Sequence, residues 1–234
     1  PTVTSPKKMR HIRSFVRREG RMTPSQQRSL DQLWPQFGIE PESPIEPTTL
    51  FGRSAALHLE IGFGMGHALF ELATTHPDED YIGIEVHRPG VGRLLDEIDK
   101  NETHNIRLLK HDAIEVLKQQ LPENSLNSVM LFFPDPWHKK RHNKRRIVQP
   151  DFIQLIHRCL KPGGVFHLAT DWEEYSEWMM ETLTMAKGFR NLAGTGEFSP
   201  RPDSRPVTKF EKRGLRLGHG VWDLLFEKVV SADE

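Results

Sequence analysis

From Ala55 onward the chain alternates short apolar runs with longer amphipathic segments, and Gly, Pro or an acidic residue marks each switch. Strand-length runs separated by helix-length ones predict repeated βαβ units. "ALHLEIG" reads as the first strand and "HALFELATTH" as the helix behind it, while "YIGIEV", "IRLLK", "SVMLFF" and "VFHLAT" supply four more strands. Helices are expected over "VGRLLDEIDK", "AIEVLKQQL", "EEYSEWMMETLTMAK" and "DFIQLIHRCL", the last closed by Lys161-Pro162-Gly163-Gly164. Two late strands are expected over "GFRNLAG" and "VWDLLFEKVV". Parallel strands need crossover helices on both faces, so the fold class expected is α/β: an open, doubly wound, Rossmann-like and mostly parallel sheet. Ligands of such sheets sit beyond the carboxyl ends of the strands.

The segment before Ala55 lacks this rhythm. It carries Arg10, Arg13, Arg17, Arg18 and Arg21, then the Pro-rich "WPQFGIEPESPIEPTTLFG". Residues 1–50 are therefore expected to be a basic, poorly ordered arm and linker, and residues 51–234 the folded domain. An organellar transit peptide is the weaker reading, because no apolar helical face is evident there.

Composition narrows the class without naming a function. At 234 residues, with 36% hydrophobic and 27% charged, the chain suits one large globular domain. Lys plus Arg and Asp plus Glu each number 32, so net charge gives no sign of a polyanionic partner and only the distribution of charge can. The single cysteine, Cys159, excludes an internal disulfide and a Cys-based zinc site, which suits a reducing cytoplasm. No apolar run approaches the roughly 18 residues of a membrane span.

Candidate chemistry follows the strand ends. The first strand runs into Glu60-Ile61-Gly62-Phe63-Gly64-Met65-Gly66, where Gly62, Gly64 and Gly66 form a turn that lets a ligand approach backbone N–H groups. The second strand ends in Glu85, near the spacing of about 20 residues expected for a ribose-binding acid. The plain alternative is an ordinary strand-to-helix turn with a surface Glu. A dinucleotide site would place a third glycine inside the helix, and Glu60 would repel a pyrophosphate. Glu60 suits instead a cofactor carrying an ammonium or sulfonium. Asp112, just past the third strand, is placed to accept from an adenine amino group, to cap the next helix, or both.

The fourth strand ends in Pro134-Asp135-Pro136-Trp137, followed by a run of cations from Lys139 to Arg146. The prolines restrict the backbone, Trp137 offers a flat surface for a base, and Asp135 is held at the cleft. Aromatic and basic groups beside a nucleoside site suit a nucleic-acid strand, whereas a solvated loop is the plain reading. His138 and His142 lack a third ligand for a metal. Asp171, after the fifth strand, reads on its own as a helix cap.

Taken together, "LEIGFGMG", "GIEVH", "FFPDPWHKKRHNKRR", "ATDW" and "TKFEKRG" resemble the bacterial tRNA (guanine-N(7)-)-methyltransferases, a Rossmann-like class. The likeness runs from about Arg10 to the C-terminus. It implies the class I methyltransferase fold, S-adenosylmethionine as cofactor and tRNA as partner; apart from the resemblance, no metal and no membrane are expected, and a monomer is expected with an oligomer left open. It implies cofactor contacts at Glu60, Glu85, Asp112 and Asp135, the last also catalytic. It implies substrate contacts at Lys139, Asp171, Thr208, Lys209, Phe210 and Glu211, and RNA contacts at Arg141, His142, Asn143, Lys144, Arg145 and Arg146. On its residues alone "TKFE" reads as the start of an edge strand. A nicotinamide-dependent dehydrogenase on the same fold is disfavoured by the short glycine turn and by Glu60. An RNA-binding protein with a vestigial cofactor site, and methyl transfer to another class of acceptor, are the remaining alternatives.

Overall fold

The computed structural model describes residues 20–218 and 220–230. Seven strands form one sheet in the order β3-β2-β1-β4-β5-β7-β6. They are β1 (Leu57–Ile61), β2 (Asp80–Ile84), β3 (Ile106–Leu109), β4 (Leu126–Phe132), β5 (Leu160–Thr170), β6 (Phe189–Asn191) and β7 (Trp222–Lys228). β1 to β5 pair in parallel, and β7 runs antiparallel to both β5 and β6. Strand order therefore reverses between β1 and β4, and the crevice at that switch point is where a doubly wound sheet binds ligand.

Helices α3 (His67–Thr75), α4 (Arg88–Lys100), α6 (Pro150–Cys159) and α7 (Glu173–Met185) cover the sheet, as the apolar spacing predicts. The sheet's two faces carry separate cores, one around Leu59, Ile82, Val129 and Phe166, the other around Leu69, Leu94, Leu95 and Met130. The expected helix at 113–121 is short, α5 (Ala113–Glu115), continued by a π turn over Val116–Gln120. β5 begins before the expected Val165. Leu160 already pairs with Leu126 and Val165 with Ser128, so the intervening Lys-Pro-Gly-Gly bulges from the ladder. Cys159 is fully buried, and burial pushes its thiol up to about 11, which leaves it an inert core residue. Among the described residues no helix is long and apolar enough to cross a membrane.

The linker expected up to residue 50 is corrected by two helices, α1 (Pro24–Phe37) and α2 (Pro47–Phe51). Thr23 and Gln26 close a capping box at the start of α1, with Pro24 in its first turn. Leu30, Leu33, Trp34 and Phe37 follow helical spacing and pack into the α4 side of the core. Pro35 inside the helix and the prolines after it obscure that period. Beyond α1, the Ile39 N–H donates to the Leu108 carbonyl at 2.8 Å, so this segment lies along the β3 edge. Of the basic arm, Arg10, Arg13, Arg17 and Arg18 lie outside the described residues.

Candidate active site

The glycine turn is built for a close backbone approach. Gly62, Gly64 and Gly66 have φ of 71°, 61° and 82°, a region that side-chain-bearing residues avoid. A Cβ on Gly62 or Gly64 would meet nothing within 4 Å, whereas one on Gly66 would lie 2.8 Å from Leu94. The first two glycines thus face open space over the cleft and the third lets α3 start against α4. Gly90 in α4 completes the packing, since a Cβ there would stand 1.9 Å from the Gly64 carbonyl oxygen. Sequence reasoning passed over Gly90, although a glycine inside an amphipathic helix is a signal of close approach.

Glu85 ties this turn to the end of β2. Its Oε1 accepts from the Gly64 N–H at 2.7 Å and its Oε2 from the N–H groups of Val86 and His87 at 2.8 and 3.2 Å. Asp112 caps α5, accepting from the Ile114 N–H at 2.9 Å, so the cap reading holds, and it also lines the cleft. Gly62, Glu85, Asp112 and Asp135 line one pocket of about 360 Å³ with Ile84, Phe132 and Ile147, within the usual size of a small-molecule site. The first four of these residues follow the ends of β1, β2, β3 and β4 in turn.

Glu60, on β1 two residues before Gly62, is not itself among the residues lining that pocket; it is 2% exposed, with Oε2 buried and lacking a hydrogen-bond partner. Burial, reinforced by the charge of Glu85, pushes its carboxyl up to about 8. Its unpartnered oxygen is an acceptor open to a cationic ligand, beside which the carboxyl would ionise. The donor set fits S-adenosylmethionine: carboxylates for an ammonium or sulfonium, for ribose hydroxyls and for an adenine amino group, with glycine N–H groups alongside. The same carboxylates would repel a pyrophosphate.

The β4 exit is strained. Phe133 and Trp137 adopt φ of 53° and 43°, each costing on the order of 1–3 kcal/mol for residues of this size. Asp135 is exposed between them, and its Oδ1 accepts from the Trp137 N–H at 2.9 Å. A 3-10 helix, Lys140–Arg145, follows. The Arg145 guanidinium stacks 5.1 Å above the Trp137 ring, and His142 packs against the same ring edge-on. Desolvation and the repulsion of Arg145, Arg141 and Lys139 lower the His142 pKa. His138 lies against Trp172, which draws the β5 exit and Asp171 beside this loop. Asp171 is exposed and does not cap α7, whose N-cap is Trp172 without a side-chain bond. Among the described residues no group of three or more His, Cys, Asp or Glu could hold a metal.

Lys139, Arg141, Lys144 and Arg145 are exposed, as a phosphate-binding run requires, and His142 and Asn143 are half-buried. Arg146 is a correction. It is 1% exposed, donates from Nε to the Pro136 carbonyl at 2.7 Å, and lies against the rings of Tyr175 and Trp178. Its place at the end of the 3-10 helix turns it inward, against α7.

"TKFE" is a second correction to the residue-based reading, for it opens a helix, α8 (Lys209–Arg216), and not a strand. Thr208 is the N-cap and accepts from the Glu211 N–H at 3.0 Å, the signature that T-x-x-E carries. The Glu211 side chain does not face the cleft as a free acceptor. Both its oxygens accept from Arg205, at 2.6 and 2.9 Å, and Arg205 in turn binds both oxygens of Asp223 on β7. His167 meets the same Asp223 at 2.7 Å. Burial opposes these charges, but the paired hydrogen bonds outweigh it, holding Asp223 below the usual carboxylate range and Arg205 above its own. Arg205 anchors α8 to the sheet and was missed because nothing in its local sequence marks it. Lys209 is exposed at the start of α8, and the Phe210 side chain lies outside the described residues.

Comparison with known proteins agrees with this geometry. The family model described as "Putative methyltransferase" matches residues 54–224. The tRNA (guanine-N(7)-)-methyltransferase of Pseudomonas putida is 59% identical over 94% of this chain and 92% of its own. That of Alcanivorax borkumensis is 58% identical over 95% and 93%. Among solved structures, the 16S rRNA methyltransferase KamB superposes with a TM-score of 0.57 at 14% identity, covering 78% of this chain and 92% of that one. A 16S rRNA (adenine(1408)-N(1))-methyltransferase from Catenulisporales acidiphilia, solved with its cosubstrate SAM, gives 0.55 at 16% identity over 82% and 95%. The structural likeness establishes the fold as that of the Rossmann-like methyltransferases, and the sequence identity over nearly the whole chain places this protein in the tRNA (guanine-N(7)-)-methyltransferase family.

Proposed function

We propose that this protein methylates N7 of a guanosine in tRNA, with S-adenosylmethionine as methyl donor. The observation that carries the reading is the pocket in which Gly62, Glu85, Asp112 and Asp135 converge, with a basic loop leading directly out of it. S-adenosylmethionine, when bound, supplies an activated methyl group on a sulfonium. Guanine N7 carries a free lone pair and no proton, so the protein needs no general base and contributes alignment and electrostatics. Glu85 and Asp112 supply acceptors for ribose hydroxyls and an adenine amino group. Glu60, mostly protonated in the unliganded fold, supplies buried negative charge by ionising beside the cationic part of the cofactor. Asp135 stands at the pocket mouth, where its charge favours the positive charge that methylation leaves on the purine.

Lys139, Lys140, Arg141, Lys144 and Arg145 attract the phosphates that deliver the base, with Lys209 at the start of α8 as a further cation and Asp171 beside the loop as a polar group for the nucleotide. Glu211 acts by fixing the first turn of α8, and through it Thr208 and Lys209. Incubating the protein with methyl-labelled S-adenosylmethionine and an unmodified tRNA transcript, then digesting to nucleosides, tests the reading. Label in 7-methylguanosine is expected, and label in any other nucleoside refutes it.

A further inference from the structure

The six cations between Lys139 and Arg146 divide into five exposed side chains and one, Arg146, that is buried. Burying a guanidinium is costly unless it is paired and hydrogen-bonded. Its ionic partner is weak: Arg146 Nη2 reaches Glu174 Oε1 at 3.2 Å, and the Glu174 side chain is 56% exposed. Its Nη1 is buried with no hydrogen-bond partner. What holds it are the rings of Tyr175 and Trp178, 4.9 and 5.1 Å from Cζ, and the bond to the Pro136 carbonyl. The following residues are pinned to the same helix, because the Val148 N–H donates to the Tyr175 hydroxyl and Trp178 Nε1–H donates to the Val148 carbonyl.

Pro136 is the middle of a tight turn. Asp135 Oδ1 accepts from the Trp137 N–H across it, so the carbonyl held by Arg146 and the carboxylate at the pocket mouth belong to one rigid unit. With positive φ at Phe133 and Trp137, that unit persists only where its surroundings over-determine it. We propose that Arg146 is a positioning residue for Asp135: braced on α7, it fixes the Pro136 carbonyl and thereby the carboxylate, and it takes no part in phosphate capture. The inference rests on the reading of Asp135 as a pocket residue in the proposed reaction.

Arg146→Lys is the decisive variant. It keeps the positive charge that phosphate capture would use, but it lacks the planar Nε donor that reaches Pro136. Turnover on tRNA should fall at least tenfold, affinity for S-adenosylhomocysteine should weaken several-fold by calorimetry, and the salt dependence of tRNA binding should match wild type. A flattened salt slope with turnover retained at saturating tRNA would overturn the proposal. Fold is checked by far-UV circular dichroism and thermal melting, and a double-mutant cycle separates positioning from general packing. In an Asp135→Ala background Arg146→Lys should change S-adenosylhomocysteine affinity by less than twofold, whereas equal losses in both backgrounds would mean Arg146 does not act through Asp135. Should Asp135→Ala alone retain full turnover, the reading of Asp135 falls and the positioning role with it. Should Asp135→Ala be inactive while Arg146→Lys is fully active, only the positioning role falls.

Discussion

Glu60→Gln should stabilise the unliganded protein while weakening its cofactor site. The wild-type carboxyl titrates at about 8 in the fold against an ordinary value of 4.5. The unfolded chain therefore loses this proton at lower pH than the folded one, and stability contributed at this position declines as pH rises from about 4.5 to about 8. At about 1.4 kcal/mol for each tenfold of proton affinity, the full penalty is on the order of 5 kcal/mol, of which about 3 kcal/mol is already present at pH 7. Glutamine has the same shape and no titration, so it escapes that penalty. For a domain of this size 1 kcal/mol moves Tm by about 2–4 °C, which predicts a rise of about 6–12 °C at pH 7. The two proteins should converge near pH 4.5. Scanning fluorimetry from pH 4.5 to 8.5 reads the difference, and calorimetry with S-adenosylhomocysteine, which lacks the sulfonium, and S-adenosylmethionine reads the cost to binding. A Tm difference independent of pH, or a Gln variant less stable than wild type at pH 8, would refute the electrostatic account of Glu60.

Four further outcomes follow from the geometry. If a cofactor cation sits beside Glu60, binding at pH 7 should release about one proton, seen as a dependence of the calorimetric enthalpy on buffer ionisation. Asp135→Asn should retain the turn to Trp137 yet lose most turnover, and near-normal turnover would assign Asp135 a hydrogen-bonding role only. Lys144→Ala with Arg145→Ala should flatten the plot of log K against log[salt] for tRNA by about 0.7–0.9 for each phosphate no longer neutralised, with cofactor affinity unchanged. Arg205→Met should cost about 3–5 kcal/mol in chemical denaturation because it leaves Asp223 and Glu211 buried without their cation, and a loss below about 1 kcal/mol would show that α8 is held otherwise.

The sheet was legible because burial on both faces writes itself as continuous apolar runs: "ALHLEIG" and "YIGIEV" are β1 and β2, and the chemistry clusters at their ends. The family was legible too, through motif combinations: "LEIGFGMG", "GIEVH" and the start of "FFPDPW" meet in one pocket, whereas "ATDW" and "TKFEKRG" lie outside its lining. Local rules failed where tertiary packing decides. α1 escaped notice because Pro35 interrupts a period that only packing against α4 makes meaningful. Arg146 stands in an unbroken basic run, and sequence holds no sign that a 3-10 turn points this one cation at Tyr175 and Trp178. Glu211 and Arg205 are six residues apart, but their partner Asp223 lies on β7, a link that only the fold reveals. "TKFE" was a plain misreading, for the T-x-x-E spacing already announces a helix start.

The central claim is that the acceptor is the N7 lone pair of guanine, and atom-for-atom substitution tests it most directly. Two tRNA transcripts are compared, one natural and one with 7-deazaguanosine, which replaces N7 by C–H and leaves the Watson–Crick edge and the ribose intact. With labelled S-adenosylmethionine and equal tRNA binding verified, the natural transcript should accept methyl and the 7-deaza transcript should accept none. Equal methylation of both would place the reaction elsewhere on the nucleotide and contradict the account.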